Sequence, residues 1–184
     1  MDLTRLRGTL ETIGKLYGYP HLEILFLASD LPRQVQPKLK SYSDSELIRF
    51  NAVLAELDEQ MERLMVIHQM LGTRISDTLT LQTDCLYRQD GHPMIQIRQM
   101  KTTTFVKPIS AKLELLTEKA MEYTKKRYGD TVYIFVDEKN SKKPMQYNTV
   151  QNKLMDLIQK KDLRDDHGEL FGFGTHMFRH VYGI

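Results

Sequence analysis

Between residues 85 and 109 the apolar side chains stop recurring every three or four positions and alternate instead. That switch constrains the fold more than any other feature of the chain. Cys85-Leu86-Tyr87 leads into the turn-prone Gln89-Asp90-Gly91-His92, Met94-Ile95-Gln96-Ile97-Arg98 alternates, and Phe105-Val106-Lys107-Pro108-Ile109 follows a short polar turn. Alternation sends successive side chains to opposite faces of a strand, and Asp-Gly permits a tight reversal, so the runs predict a small three-stranded antiparallel sheet. Pro108 has no amide hydrogen to donate, which puts its strand at an edge. Helical spacing dominates on both sides, so the fold class is α+β and mostly helical.

Leu3, Leu6, Leu10, Ile13 and Leu16 predict an amphipathic helix over 3–17, ended by Gly18-Tyr19-Pro20. With Pro20, Pro32 and Pro37 around one short apolar run, His21 to Lys40 reads as an extended connector. Residues 1–40 are therefore expected to be the end of a preceding domain with its linker, and 41–184 a second domain. Ser43-Asp44-Ser45-Glu46 has capping-box spacing, followed by Leu47, Phe50, Leu54 and Leu57 on one face. Met61–Leu71 forms the next helix, with Leu64, Met65 and His68 on a stripe. Gly72 suits a left-handed closing residue, and Thr73 the cap of a short helix from Arg74 to about Thr80. After the sheet, Leu113, Leu116, Ala120 and Tyr123 share a helical face. Thr131–Val136 fits either a short strand or a buried extended segment, Asn140–Pro144 a basic loop, and 147–161 a helix with Val150, Leu154, Leu157 and Ile158 inward. Phe171-Gly172-Phe173-Gly174 interrupts the chain before a final helical start at Thr175-His176-Met177-Phe178-Arg179-His180. Four residues later the sequence ends in a helix that has barely begun, so a fragment is expected.

No run approaches the roughly 20 apolar residues of a membrane span, and the first residues lack a secretory layout. A single cysteine, Cys85, supplies neither an internal disulfide nor a zinc site, in keeping with a reducing cytoplasm. The net charge of +2 conceals an uneven distribution: residues 91–164 carry fifteen Lys/Arg against eight Asp/Glu. Such a segment fits either a solvated lysine-rich surface or a polyanion-facing one. Lys125, Lys126 and Arg127, with Lys142 and Lys143, are its densest clusters and the candidates for contact with a nucleic-acid backbone. His92, and His167 beside Asp165-Asp166, read as polar turns rather than ligand sets, so no metal is expected.

Two distant segments share a layout of glycine, threonine, then a helix start bearing arginine: Gly72-Thr73-Arg74 and Gly174-Thr175-His176-Met177-Phe178-Arg179. With both threonines as caps, each places a cation at the positive end of a helix, against the usual preference by several tenths of a kcal/mol. An arginine there makes sense opposite a phosphate, whose oxygens its planar fork grips in pairs. The alternative is a surface arginine, or one paired with Asp77 or Glu169.

Leu71-Gly72-Thr73-Arg74-Ile75-Ser76-Asp77-Thr78-Leu79-Thr80-Leu81-Gln82-Thr83-Asp84 resembles the first signature of the tyrosine recombinases, or phage integrases. Lys101-Thr102, between two strands and followed by Pro108-Ile109, is similar to the family's hairpin lysine and its closing Pro-Leu. Thr175-His176-Met177-Phe178-Arg179-His180 is similar to its His-x-x-Arg-His box. The resemblance runs over roughly 40–184 with the three motifs in family order. It departs in the second strand, where many members have an arginine shortly before the proline and this chain has Phe105 and Val106.

The resemblance implies that 41–184 is the catalytic domain and that 1–40 ends a core-binding domain. It implies a DNA strand-exchange enzyme, an integrase or transposase, working on double-stranded DNA without a cofactor, its protomers assembled as a tetramer on DNA. A bacterial or phage-encoded protein of the cytoplasm, associated with the nucleoid, is the expected setting. Arg74 and Arg179 would clamp the scissile phosphate, His176 would help position it and assist proton transfer, and Lys101 would protonate the leaving 5′ oxygen. Asp77 and His180 would brace the arginine pocket. The nucleophilic tyrosine would lie a few tens of residues beyond Arg179, past Ile184, and Tyr182 does not match it. The chemistry accounts for these residue types: charge builds on the phosphate oxygens, and guanidiniums hold it at any working pH. Two other readings stay open, a non-catalytic DNA-binding accessory module of the same fold and a helical protein-interaction domain with coincidental motifs.

Overall fold

A computed structural model of the protein describes residues 3–26, 41–98, 104–175 and 177–178. The chain divides into two compact units, Met1–Lys38 and Leu39–Ile184.

In the first unit, α1 (Leu3–Tyr17) ends at Gly18, whose φ of 69° only glycine adopts readily. Part of the expected extended connector is instead a turn of helix, α2 (Pro20–Glu23). Pro20 occupies its first turn, where a missing amide costs nothing and the fixed φ already suits a helix. Residues 27–40 lie outside the described residues.

The second unit opens with α3 (Asp44–Leu54), and its capping box forms as the sequence predicts. Ser43 Oγ accepts the Glu46 amide, while Glu46 accepts the Ser43 amide at 2.9 Å. Helix α4 (Glu59–Leu71) is capped by Asp58 and closed by Gly72 in the left-handed conformation, φ 59°. After α5 (Ile75–Leu79), β1 (Leu86–Gln89), β2 (His92–Arg98) and β3 (Thr104–Pro108) form the antiparallel sheet in that order. Asp90 and Gly91, at φ 50° and 80°, make the β1–β2 reversal, which leaves Gln89 opposite His92. Strand β3 is an edge strand, as Pro108 requires. Ile95 and Ile97 project from β2 into the core.

Helix α6 (Ala111–Tyr128), capped by Ser110, buries Leu113, Thr117, Ala120 and Thr124, whereas Leu116 and Tyr123 are only half-buried. The stripe is thus displaced from the apolar one expected. It tolerates two threonines because their hydroxyls donate to carbonyls, Thr117 to Leu113 at 2.8 Å and Thr124 to Ile134 at 2.5 Å. The ambiguous segment 131–136 is bent at 132, 134 and 135, with strand pairing only where Tyr133 bridges to Gln82 and where Val136 begins β4 (Val136–Asp137). Asn140–Pro144, expected as a loop, is its antiparallel partner β5. Asp137 Oδ1 accepts the amides of Lys139 and Asn140, which turns the chain tightly enough for the two to pair. Helix α7 (Tyr147–Lys160) buries Val150, Leu154, Leu157 and Ile158 as expected.

An aromatic cluster joins the two ends of this unit. Tyr42, Phe50, Phe171, Phe173 and Phe178 have ring centroids 4.9–6.2 Å apart. Each fully buried ring contributes about 1.5–3 kcal/mol of transfer free energy. Asp166 reinforces the junction from the surface by accepting from Ser43 and Ser45 and pairing with Arg49 at 2.7 Å. The Ser43 hydroxyl, then Arg49 and Ser45, hold its carboxyl down to about 2.

Candidate active site

The first arginine stands on the turn between α4 and α5. Gly72 donates its amide to His68 O at 3.1 Å, closing α4. One residue earlier, the Leu71 carbonyl accepts Lys107 Nζ from β3 at 2.6 Å. Burial pushes the pKa of Lys107 down, while the C-terminal end of α4 is where a cation is favoured. Thr73 does not cap α5. The cap position belongs to Arg74 itself, extended at φ −68° and ψ 146°, and its carbonyl accepts the amides of Asp77 and Thr78. Thr73 turns inward because a better partner waits there: its hydroxyl meets Thr78 Oγ1 at 3.1 Å, and Thr78 meets His68 Nδ1 at 2.9 Å. These three side chains are buried, His68 and Thr78 completely.

Arg74 is exposed, and among the described residues its guanidinium forms no hydrogen bond or ion pair, so the expected alternative of a pair with Asp77 is not what the structure contains. Asp77 is buried three positions on. Because α5 has only five residues, few peptide dipoles align behind Arg74, and the anion-attracting charge of the turn is chiefly the guanidinium's own.

The second arginine-bearing segment follows Phe171. Tyr42 holds its turn: the hydroxyl accepts the Gly174 amide at 2.7 Å and faces the carbonyls of Gly172 at 3.1 Å and Gly174 at 3.4 Å. Burial pushes the Tyr42 phenol up to about 12, so it remains protonated and able to donate. Thr175, expected as a cap, is already helical and buried, and Met177 donates its amide to Gly174 O at 3.0 Å. Phe178 packs edge-on against His68, with centroids 5.8 Å apart and planes at 78°. His68 is therefore a common support: it holds the Arg74 turn through Thr78 and contacts the residue that precedes Arg179.

Four of the expected site residues, Lys101, His176, Arg179 and His180, lie outside the described residues. Arg98 pairs with Thr104 across β2 and β3, so Lys101 belongs in sequence to the connection between those strands. Of the basic clusters, Lys125 and Lys126 are exposed at the end of α6, Lys125 within 3.5 Å of Asp130, and Arg127 lies over the rings of Tyr123 and Tyr128. Lys126 and Arg127 also line an open groove of about 620 Å³ with Glu59, Arg63, Lys119 and Glu122, a wall of mixed charge. Lys142 and Lys143 are exposed on β5. Among the described residues no three His, Cys, Asp or Glu side chains gather as a metal site, and no helix is long and apolar enough to cross a membrane.

Sequence reasoning missed Tyr42, His68 and Lys107 as parts of this region. The only signal for Tyr42 was its place just before a capping box, where an apolar residue often staples the helix entry. His68 read as a core residue, and Lys107 as a strand residue.

Comparison with known proteins agrees with this architecture. Residues 43–184 match the phage integrase family. Transposase B from transposon Tn554 of Staphylococcus aureus strain Mu50 is 28% identical over 181 residues, which are 97% of this chain and 28% of that protein. Transposase B from transposon PsiTn554 of Staphylococcus aureus gives the same identity and coverage. The chain thus spans 28% of the length of the curated relatives it matches. Among solved structures, the Tn1549 transposon integrase in complex with circular intermediate DNA superposes with a TM-score of 0.65 at 14% identity, over 97% of this chain and 64% of that one. A lambda integrase dimer bound to a core site gives 0.62 at 13% identity, over 96% and 63%. At such identities the two structures establish the fold alone: a mostly helical domain with a small antiparallel sheet. Since the family match extends over most of the sequence, the chain belongs to the phage integrase family, the tyrosine recombinases.

Proposed function

We propose that the protein takes part in site-specific DNA recombination or transposition, cleaving and rejoining strands through a 3′-phosphotyrosine intermediate. The observation that carries this reading is the meeting on His68 of the turn bearing Arg74 and the segment leading to Arg179, segments about a hundred residues apart in sequence. Two guanidiniums converging on one phosphate neutralise the charge that develops on its non-bridging oxygens, and they do so without a metal or a proton transfer. His176 positions the phosphate and assists proton transfer, and Lys101 protonates the leaving 5′ oxygen. Asp77 and His180 brace the arginines. Lys125, Lys126, Arg127, Lys142 and Lys143 meet the duplex backbone and contribute salt-sensitive, sequence-independent affinity. Residues 1–40 end a core-binding domain, and further protomers join on the DNA as a tetramer.

On this reading the nucleophile is a tyrosine beyond residue 184, and Tyr182 is not it. The test measures duplex binding by the chain and its Arg74→Ala and Arg179→Ala variants over a range of salt. Each arginine removes a charge-assisted contact of about 1.5–3 kcal/mol, so affinity falls roughly 10- to 100-fold and the salt slope drops by about one. Two variants that bind like the parent overturn the phosphate clamp. A denaturation-resistant DNA adduct formed by this chain overturns the assignment of the nucleophile. Variants that tolerate the substitutions, with only a small general loss of salt-sensitive affinity in place of the 10- to 100-fold fall, favour the accessory DNA-binding module instead.

A further inference from the structure

The start of α3 grips the segment before the second arginine at two places. At one, Asp166 accepts hydrogen bonds from Ser43, Ser45 and Arg49, and its own amide donates to Glu46. At the other, Tyr42 lies flat on Phe171, 5.0 Å between centroids and 13° between planes, with its hydroxyl against the backbone of Gly172 and Gly174. Residues 172–174 belong to no helix or strand, so their polar backbone groups need partners from elsewhere. The hydroxyl supplies one for the Gly174 amide and for a facing carbonyl. The ring and the hydroxyl therefore have separable roles. Stacking on Phe171 and Phe178 fills the core, which a phenylalanine also does; the hydroxyl, by contrast, holds the backbone as it enters Thr175, two residues ahead of Met177 and four ahead of Arg179.

We propose that Tyr42 is a positioning residue for DNA-phosphate binding: its hydroxyl fixes the Gly172–Gly174 turn, which leads in sequence into the segment that carries His176 and Arg179. The inference rests on the phosphate-clamp reading above, and it adds a residue from the opposite end of the domain, 132 positions from Gly174. Misplacing a bidentate arginine by a fraction of an ångström costs its hydrogen bonds while leaving the fold intact.

The test compares the chain with Tyr42→Phe, Arg179→Ala and the double variant by duplex binding over a range of salt, with thermal melting to establish that each is folded. Tyr42→Phe lowers affinity about tenfold, equivalent to most of one charge-assisted contact, and reduces the salt slope by up to about one. In the Arg179→Ala background the same substitution has little further effect, because the two act through one contact. Phe171→Leu, which loosens the stack but leaves the hydroxyl in place, lowers the melting temperature with the slope unchanged. Exchange of the Gly174 amide with solvent hydrogen, slow in the parent, speeds up in Tyr42→Phe.

Parental affinity and slope in Tyr42→Phe, beside a clear loss in Arg179→Ala, overturn the role of Tyr42 alone. Additive losses in the double variant, or unchanged Gly174 exchange, do the same. No loss in Arg179→Ala overturns the phosphate clamp itself and the positioning role with it, a pattern distinct from the first.

Discussion

Replacing Thr78 with valine removes one oxygen atom from the interior and keeps nearly the same shape. The hydroxyl stands at the centre of a buried chain, 2.9 Å from His68 Nδ1 and 3.1 Å from Thr73 Oγ1. Thr78 and His68 are fully inaccessible to solvent and Thr73 is nearly so. Water therefore does not replace the lost contacts at low cost. Each neutral hydrogen bond contributes about 1–1.5 kcal/mol, so Thr78→Val destabilises the second unit by about 2–3 kcal/mol. For a domain of this size the melting temperature moves about 2–4 °C per kcal/mol, which predicts a drop of about 4–12 °C. Circular dichroism melts of the parent, Thr78→Val and Thr78→Ser measure it. Serine keeps the hydroxyl and loses a methyl worth about 1 kcal/mol, so it falls between the other two. The Arg74 turn loses its inner support, and duplex affinity falls with stability. A melting temperature within 2 °C of the parent refutes the claim that the polar chain supports the turn.

Two further predictions concern charges that the fold has turned to structural use. Lys107→Met keeps the buried stem and removes the ammonium from the Leu71 carbonyl; it lowers the unfolding free energy, measured by denaturant titration, by about 1 kcal/mol and Lys107→Arg recovers part of it, while an unchanged salt slope for duplex binding separates Lys107 from the lysines proposed to face DNA. Asp166 has a folded pKa depressed to about 2 from 3.8, so its contribution is present above pH 3.8 and is lost as pH falls toward 2; acid titration of Asp166→Asn shows a shallower stability loss across that window, and identical profiles refute the clasp.

The elements legible in the sequence were those with local physical signatures. The capping box at Ser43, the left-handed Gly72 and the Asp90-Gly91 reversal each depend on residues a few positions apart, and each formed as expected. The α4, α7 and sheet assignments followed from periodicity. What sequence could not reveal was which partner a side chain would choose when a distant one was better placed. Thr73 had the composition of a cap but found Thr78, and Thr117 and Thr124 took core positions because carbonyls stood within reach. Asn140–Pro144 looked like a loop because its lysines are polar, yet lysines suit an exposed edge strand. Among the candidate residues, Arg74 and Asp77 were singled out by a motif, whereas Tyr42, His68 and Lys107 make contacts 10 to 132 residues away that leave no periodic trace.

The grip of residues 42–49 on residues 166–178 bears on how this domain acquires its structure. Helix α3 finds aromatic partners more than a hundred residues further along the chain, so Phe50 cannot stack on Phe171 and Phe178 until that later segment has been synthesised. Closing a circuit of some 120 residues costs only a few kcal/mol of chain entropy, because the penalty grows with the logarithm of length. It does delay completion, since contacts so distant in sequence form slowly. Nascent chains halted before Phe171 should therefore expose the apolar face of α3 and attract chaperones, whereas chains that extend past Phe178 clear of the exit tunnel should resist proteolysis.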